Sequence, residues 1–104
     1  MMYALVYITT SGEKESKKIG RTIVEERLAG CINIISTIES LYWWKGKIEE
    51  DTESILIVKT KVNNIENIIK RVKEIHSYEN PAILAIPIIE GSKEYLDYLD
   101  GEIR

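Results

Sequence analysis

His76 and Glu79 hold the most direct route to metal chemistry in this sequence. His76 is the only histidine, and Glu79 follows three residues on. Imidazole nitrogen and carboxylate oxygen suit copper or zinc, and a turn at this spacing can aim both at one point. Two donors leave such a site incomplete, so water or a neighbouring copy of the chain would supply the rest. A histidine at a helix C-terminus, meeting the last carbonyls, accounts for His76 equally well. Glu49, Asp51 and Glu53 alternate along a predicted strand and so share one face. They could hold a hard cation, but a solvated, charged extension of the strand is the preferred reading.

Cys31 opens an apolar strand. A thiolate there could bind a soft metal, but a structural cysteine is the commoner case and the one preferred. Tyr42, Trp43 and Trp44 form an aromatic run. On a strand Tyr42 and Trp44 share a face and Trp43 takes the other. Packing between subunits is the first role expected of them. With Tyr78, Tyr42 and Trp44 could also wall an inter-subunit cleft for a small ligand. Thr10-Ser11-Gly12 precedes a helix and reads as a cap, or less commonly as an anion-holding turn. A Cys31–His76 nucleophile pair lacks an evident carboxylate or oxyanion donor, so no catalytic residue is assigned.

The elements that must position these groups follow from patterning. Tyr3–Thr9 is short, apolar and rich in β-formers. Thr10 and Glu13 have capping-box spacing, and Ile19, Ile23, Val24 and Leu28 form a helical stripe closed by Ala29-Gly30. Cys31–Trp44 reads as a strand with a bulge at Ser36-Thr37, and Lys45-Gly46 as a tight turn. Residues 47–61 return as a third strand. Asn63 and Glu66 repeat the capping spacing before Ile65, Ile68, Ile69, Val72 and Ile75. A loop over 76–81 leads to a strand over 82–89. Ser92 then caps a short helix with Tyr95, Leu96 and Leu99. The order β-α-β-β-α-β plus a tail predicts an α+β, ferredoxin-like antiparallel sheet over one domain, 1–104. Ala4–Ile8, Ile55–Val58 and Ile83–Ile86 are apolar at both parities. Both sheet faces are therefore expected to be dry, the second one against another subunit.

The 104 residues carry 14 Lys+Arg against 17 Asp+Glu, a net charge of −3. Mild acidity without a basic stripe argues against nucleic acid, whose binding rests on clustered cations. No apolar run approaches the ~20 residues of a membrane span. The N-terminus lacks the basic start of a secretory signal, and one cysteine suits a reducing cytoplasm.

Taken in order, Cys31-Ile32-Asn33-Ile34, Ser40–Ile48, His76-Ser77-Tyr78-Glu79-Asn80-Pro81, Ile86-Pro87-Ile88 and Gly91…Tyr95-Leu96 resemble the CutA divalent-ion tolerance proteins over nearly the whole chain. The resemblance implies a homotrimer with strands pairing across subunits and an architecture similar to the PII signalling proteins. It also implies a link to copper and other divalent metals. No organic cofactor is expected. A PII-like module, binding a small molecule in an inter-subunit cleft and signalling through the 42–48 hairpin, is the alternative. The sequence departs from the family pattern at Ser77, where Pro is usual after the histidine and a less rigid loop is expected. It departs again at Tyr98, where Trp is common. Thr9 stands where some relatives carry a cysteine, which weakens a thiolate copper site.

Overall fold

The computed structural model describes residues 2–104. Its elements are β1 (Tyr3–Thr10), α1 (Glu13–Glu25), β2 (Cys31–Trp44), β3 (Lys47–Lys61), a 3₁₀ turn (Val62–Asn64), α2 (Ile65–Ile75), β4 (Ile83–Ile88) and α3 (Lys93–Glu102). The strands form one antiparallel sheet in the order β2-β3-β1-β4. This is the ferredoxin-like arrangement expected from the element order.

Alternation sorts the strands' side chains onto two faces. Ala4, Val6, Ile8 and Thr10 of β1, with Leu56, Val58 and Thr60 of β3, are buried under the helices. Ile19 and Ile23 of α1 and Ile68 and Val72 of α2 complete that core. Burying an aliphatic side chain of this size contributes about 1.5–3 kcal/mol. The opposite face carries Leu5 and Tyr7, flanked by Ile57 on β3 and by Leu84 and Ile86 on β4. Leu84 is 59% exposed, Ile86 48% and Ile35 46%. Helix α3 covers only the far end of this face. There Lys59 Nζ donates to Tyr95 Oη (3.2 Å) and Lys61 meets Asp100 (3.0 Å). One face is thus dry within the chain and the other is apolar but largely bare.

Beyond the sheet, β2 and β3 continue as a long hairpin. The expected bulge is present: register shifts between Ile35 and Ile38, so Ser36 and Thr37 oppose the single residue Ser54. Ser54 Oγ donates to the Ile35 carbonyl (2.9 Å), filling the gap that the ladder leaves. Lys45 and Gly46 both have positive φ (50° and 80°), the geometry of a type I′ turn.

Three local expectations fail, each for a physical reason. Neither Thr10–Glu13 nor Asn63–Glu66 forms a capping box. Thr10 Oγ1 instead donates to the Gly12 carbonyl and lies 2.7 Å from Ser16 Oγ, and Glu13 pairs with Lys17. Asn64, the residue that precedes α2, sends its amide to the Leu28 and Arg104 carbonyls. Helix α1 ends at Glu25, before Leu28, in a Schellman motif. Arg27 takes the left-handed conformation (φ 61°), and Leu28 N–H donates to Ile23 O while Arg27 N–H donates to Val24 O. Gly30 is required for packing instead, since a Cβ there would lie 2.9 Å from Leu99 Cδ2. The Ser92 cap forms as expected, accepting from Tyr95 N–H (3.3 Å).

Candidate functional site

The loop between α2 and β4 folds over the end of β1. Its first residue, His76, has no exposed side-chain surface. Tyr78 N–H donates to His76 Nδ1 (3.0 Å), and His76 Nε2 lies 2.8 Å from the Thr9 carbonyl. A carbonyl only accepts, so this network fixes the Nε2–H tautomer. Both ring nitrogens are engaged. The ring also stacks at a tilt on Tyr78, with centroids 4.7 Å apart. His76 therefore acts here as a brace between strand end and loop. In this arrangement it offers no lone pair to a metal.

Glu15 clamps the same loop from the other side. Its Oε1 accepts from Ser11 N–H (2.9 Å), Ser11 Oγ (2.9 Å) and Ser77 Oγ (3.0 Å), and its Oε2 from Ser77 N–H (2.7 Å). Partial burial pushes the carboxyl up, but these four hydrogen bonds together outweigh it and hold the pKa at about 2. The anion-holding turn considered at Thr10-Ser11-Gly12 is occupied, in part, by the chain's own carboxylate. Ser77, where a less rigid loop was expected, takes part in the same clamp. A proline there would lack the N–H that Glu15 receives, so serine pins the loop by hydrogen bonds instead.

Tyr42, Trp44 and Tyr78 do come together. They line a cavity of about 510 Å³ with Asp51, Glu53 and Glu79. The cavity opens at the hairpin end of the bare sheet face. Strand register explains the grouping: Tyr42 pairs with Glu49 and Ser40 with Asp51, so these side chains project to one side. Tyr42 Oη donates to Asp51, and Tyr78 Oη donates to Glu53 Oε2 (2.7 Å). The bond to Asp51, followed by partial desolvation and nearby carboxylates, pushes the Tyr42 phenol to about 12. Burial first, then the bond to Glu53, raises Tyr78 as well. Neither phenol ionises in the physiological range.

Glu53 corrects the reading of the early third strand as wholly solvated. Glu49, Glu50 and Asp51 are exposed, but Glu53 is only 7% exposed. Glu79 lines the cavity while His76 lies behind Tyr78, outside the lining. Among the described residues, no three His, Cys, Asp or Glu side chains are grouped as a metal would need. Cys31 is half-buried and pairs in register with Lys59. Thr9, beside His76, pairs with Ile55, four residues from Lys59 along β3, about 13 Å away. Cys31 and His76 thus lie at opposite ends of the sheet and form no nucleophile–base pair. The Glu15 clamp escaped sequence reading. Ser11 and Glu15 stand at a helical i,i+4 spacing, but nothing in the sequence links either to Ser77.

Fold and site together define a small open-faced α+β domain with a protruding hairpin and an acidic, aromatic-walled cleft. The chain belongs to the CutA divalent ion tolerance family: the family model described as CutA1 divalent ion tolerance protein matches residues 4–102. It is 44% identical over 98 residues to the divalent-cation tolerance protein CutA of Thermus thermophilus, covering 94% of this chain and 95% of that one. The structure of the periplasmic divalent cation tolerance protein CutA from Archaeoglobus fulgidus superposes with a TM-score of 0.96 at 42% identity, covering 99% of this chain and 100% of that one. The chloroplastic protein CutA 1 of Oryza sativa is 38% identical over 100 residues, 96% of this chain. The chain spans 56% of the length of that plant relative. No helix among the described residues is long and apolar enough to cross a membrane.

Proposed function

We propose that this protein is a homotrimeric, non-enzymatic binder of divalent metal, copper among the candidates, with a role in metal-ion tolerance. Membership of the divalent ion tolerance family carries this reading. The chemistry of the chain redirects the donor set. With both His76 nitrogens engaged, Glu79 at the cleft is the donor of the pair left to a metal, and since the described residues of one chain group no three donors, the rest of the set has to come from outside it. Oxygen donors of this kind suit a divalent cation whose remaining positions are filled by water or a neighbouring subunit. The bare apolar face supports assembly, since Leu84 and Ile86 on one edge strand and Ile35 on the other leave about half of their surface uncovered, and apolar exposure of this extent is unusual on a soluble monomer. The free cysteine favours a reducing compartment such as the cytoplasm.

Isothermal titration with Cu²⁺ tests the metal reading. Glu79→Gln should weaken binding about tenfold, as expected for losing one charged donor. His76→Ala should change it less. The absence of Cu²⁺ binding by the wild-type protein would remove copper, and the same result with Zn²⁺ and Mn²⁺ would remove divalent metal altogether.

One observation favours a second reading, a PII-like small-molecule module. The cavity walled by Tyr42, Trp44 and Tyr78 has the volume of a small-ligand pocket. In that reading the 42–48 hairpin carries the signal to a partner.

A further inference from the structure

The lining of the cleft is chemically one-sided. Three carboxylates, Asp51, Glu53 and Glu79, meet the rings of Tyr42, Trp44 and Tyr78, and no lysine or arginine lines the cavity. Glu53 is the least solvated of the acids, at 7% exposed. Tyr78 Oη satisfies its Oε2, while among the described residues no donor pairs with Oε1, which keeps some accessible surface in a residue that lines the cavity. An acceptor this deeply placed favours a ligand that brings a proton donor with positive charge. The aromatic walls favour the same partner, because ring faces attract cations. The chain already shows that attraction: Lys45 Nζ lies 5.7 Å from the centroid of the Trp44 ring.

We propose that the cleft binds a small organic cation bearing N–H donors, an alkylammonium or guanidinium group. Its head is placed at Glu53 Oε1 and its apolar stem along Tyr42 and Trp44. This rests on the small-molecule reading above and names the ligand class within it. Asp51 and Glu79 add negative potential at the mouth, so anions are disfavoured. A quaternary ammonium would meet the rings but leave Glu53 Oε1 without a donor.

Both tryptophans of the chain, Trp43 and Trp44, line the cavity, so intrinsic fluorescence reads it directly. The experiment titrates the full-length protein, in the presence of EDTA, with cadaverine and with pentanediol and glutarate as neutral and anionic matches. A saturable emission change with cadaverine alone is expected. Glu53→Gln should weaken it about tenfold, the loss of a charge-assisted hydrogen bond. Glu79→Gln, at an exposed position that leaves the core untouched, should weaken it severalfold. An equal response to pentanediol or glutarate, or a cadaverine response unchanged in both variants, overturns the cation proposal while a small-molecule cleft stands. Silence from every probe, with circular dichroism unchanged, overturns both.

Discussion

Among the described residues Glu15 concentrates more hydrogen bonds than any other carboxylate, and its titration is the clearest consequence at the level of single residues. Its folded pKa of about 2 lies below the ordinary 4.5. The unfolded chain therefore takes up the proton first as pH falls. The stability from this group is full above about pH 4.5 and is gone once pH passes below about 2. Its size is about 1–2 kcal/mol after allowance for solvent screening. Glu15→Gln should lose that amount at neutral pH and flatten the acid limb of a stability-versus-pH curve. Ser77→Pro should act on the same limb, because it removes two of the four donors and lets the carboxyl rise. Chemical denaturation at several pH values checks both. Of the site residues, Tyr42, Trp44 and Tyr78 were legible as a group, since strand alternation and one loop sufficed to place them. The fate of His76 was not legible. Its type and position suit a metal, and only tertiary structure shows that Thr9 and Tyr78 already take both nitrogens.

Among the elements, the β2–β3 hairpin is set by its turn and its bulge. Lys45 occupies a left-handed position (φ 50°), where its Cβ crowds the following carbonyl and which suits Asn or Gly. Lys45→Asn should therefore stabilise the protein by a few tenths to about 1 kcal/mol, read as a rise in Tm. All four strands and the three helices were legible from alternation and from the 3.6-residue stripes. Their ends were less so. Thr10 and Asn64 have the right side chains for caps, yet each is drawn into longer-range bonds: Thr10 to the buried Ser16–Ser54 hydroxyls, Asn64 to the chain terminus. Ser16 did leave a trace. It falls on the stripe of Ile19 and Ile23, where a small hydroxyl in an apolar row signals a buried partner. Gly30 shows the same ambiguity, as glycine serves a left-handed cap or a close approach, and here Leu99 decides.

For the whole molecule, what matters is that the helices use only one side of the sheet. Apolar residues at both parities of β1, β3 and β4 predicted two dry faces. The chain dries one, and α3 shelters only the end near Lys59 and Lys61 of the other. Placing a charge on the bare face, on its edge strand β4, as in Leu84→Glu or Ile86→Glu, should leave the monomer folded and abolish self-association. Circular dichroism together with light scattering would show it. The cleft lies at the end of that same face, so ligand binding and assembly are expected to be coupled, each favouring the other.

Sedimentation equilibrium at micromolar concentration tests the assembly most directly. A particle of three 12.0 kDa chains, reduced to one chain by Ile86→Glu, is the predicted result. A wild-type protein that sediments as a single 12.0 kDa chain would contradict it.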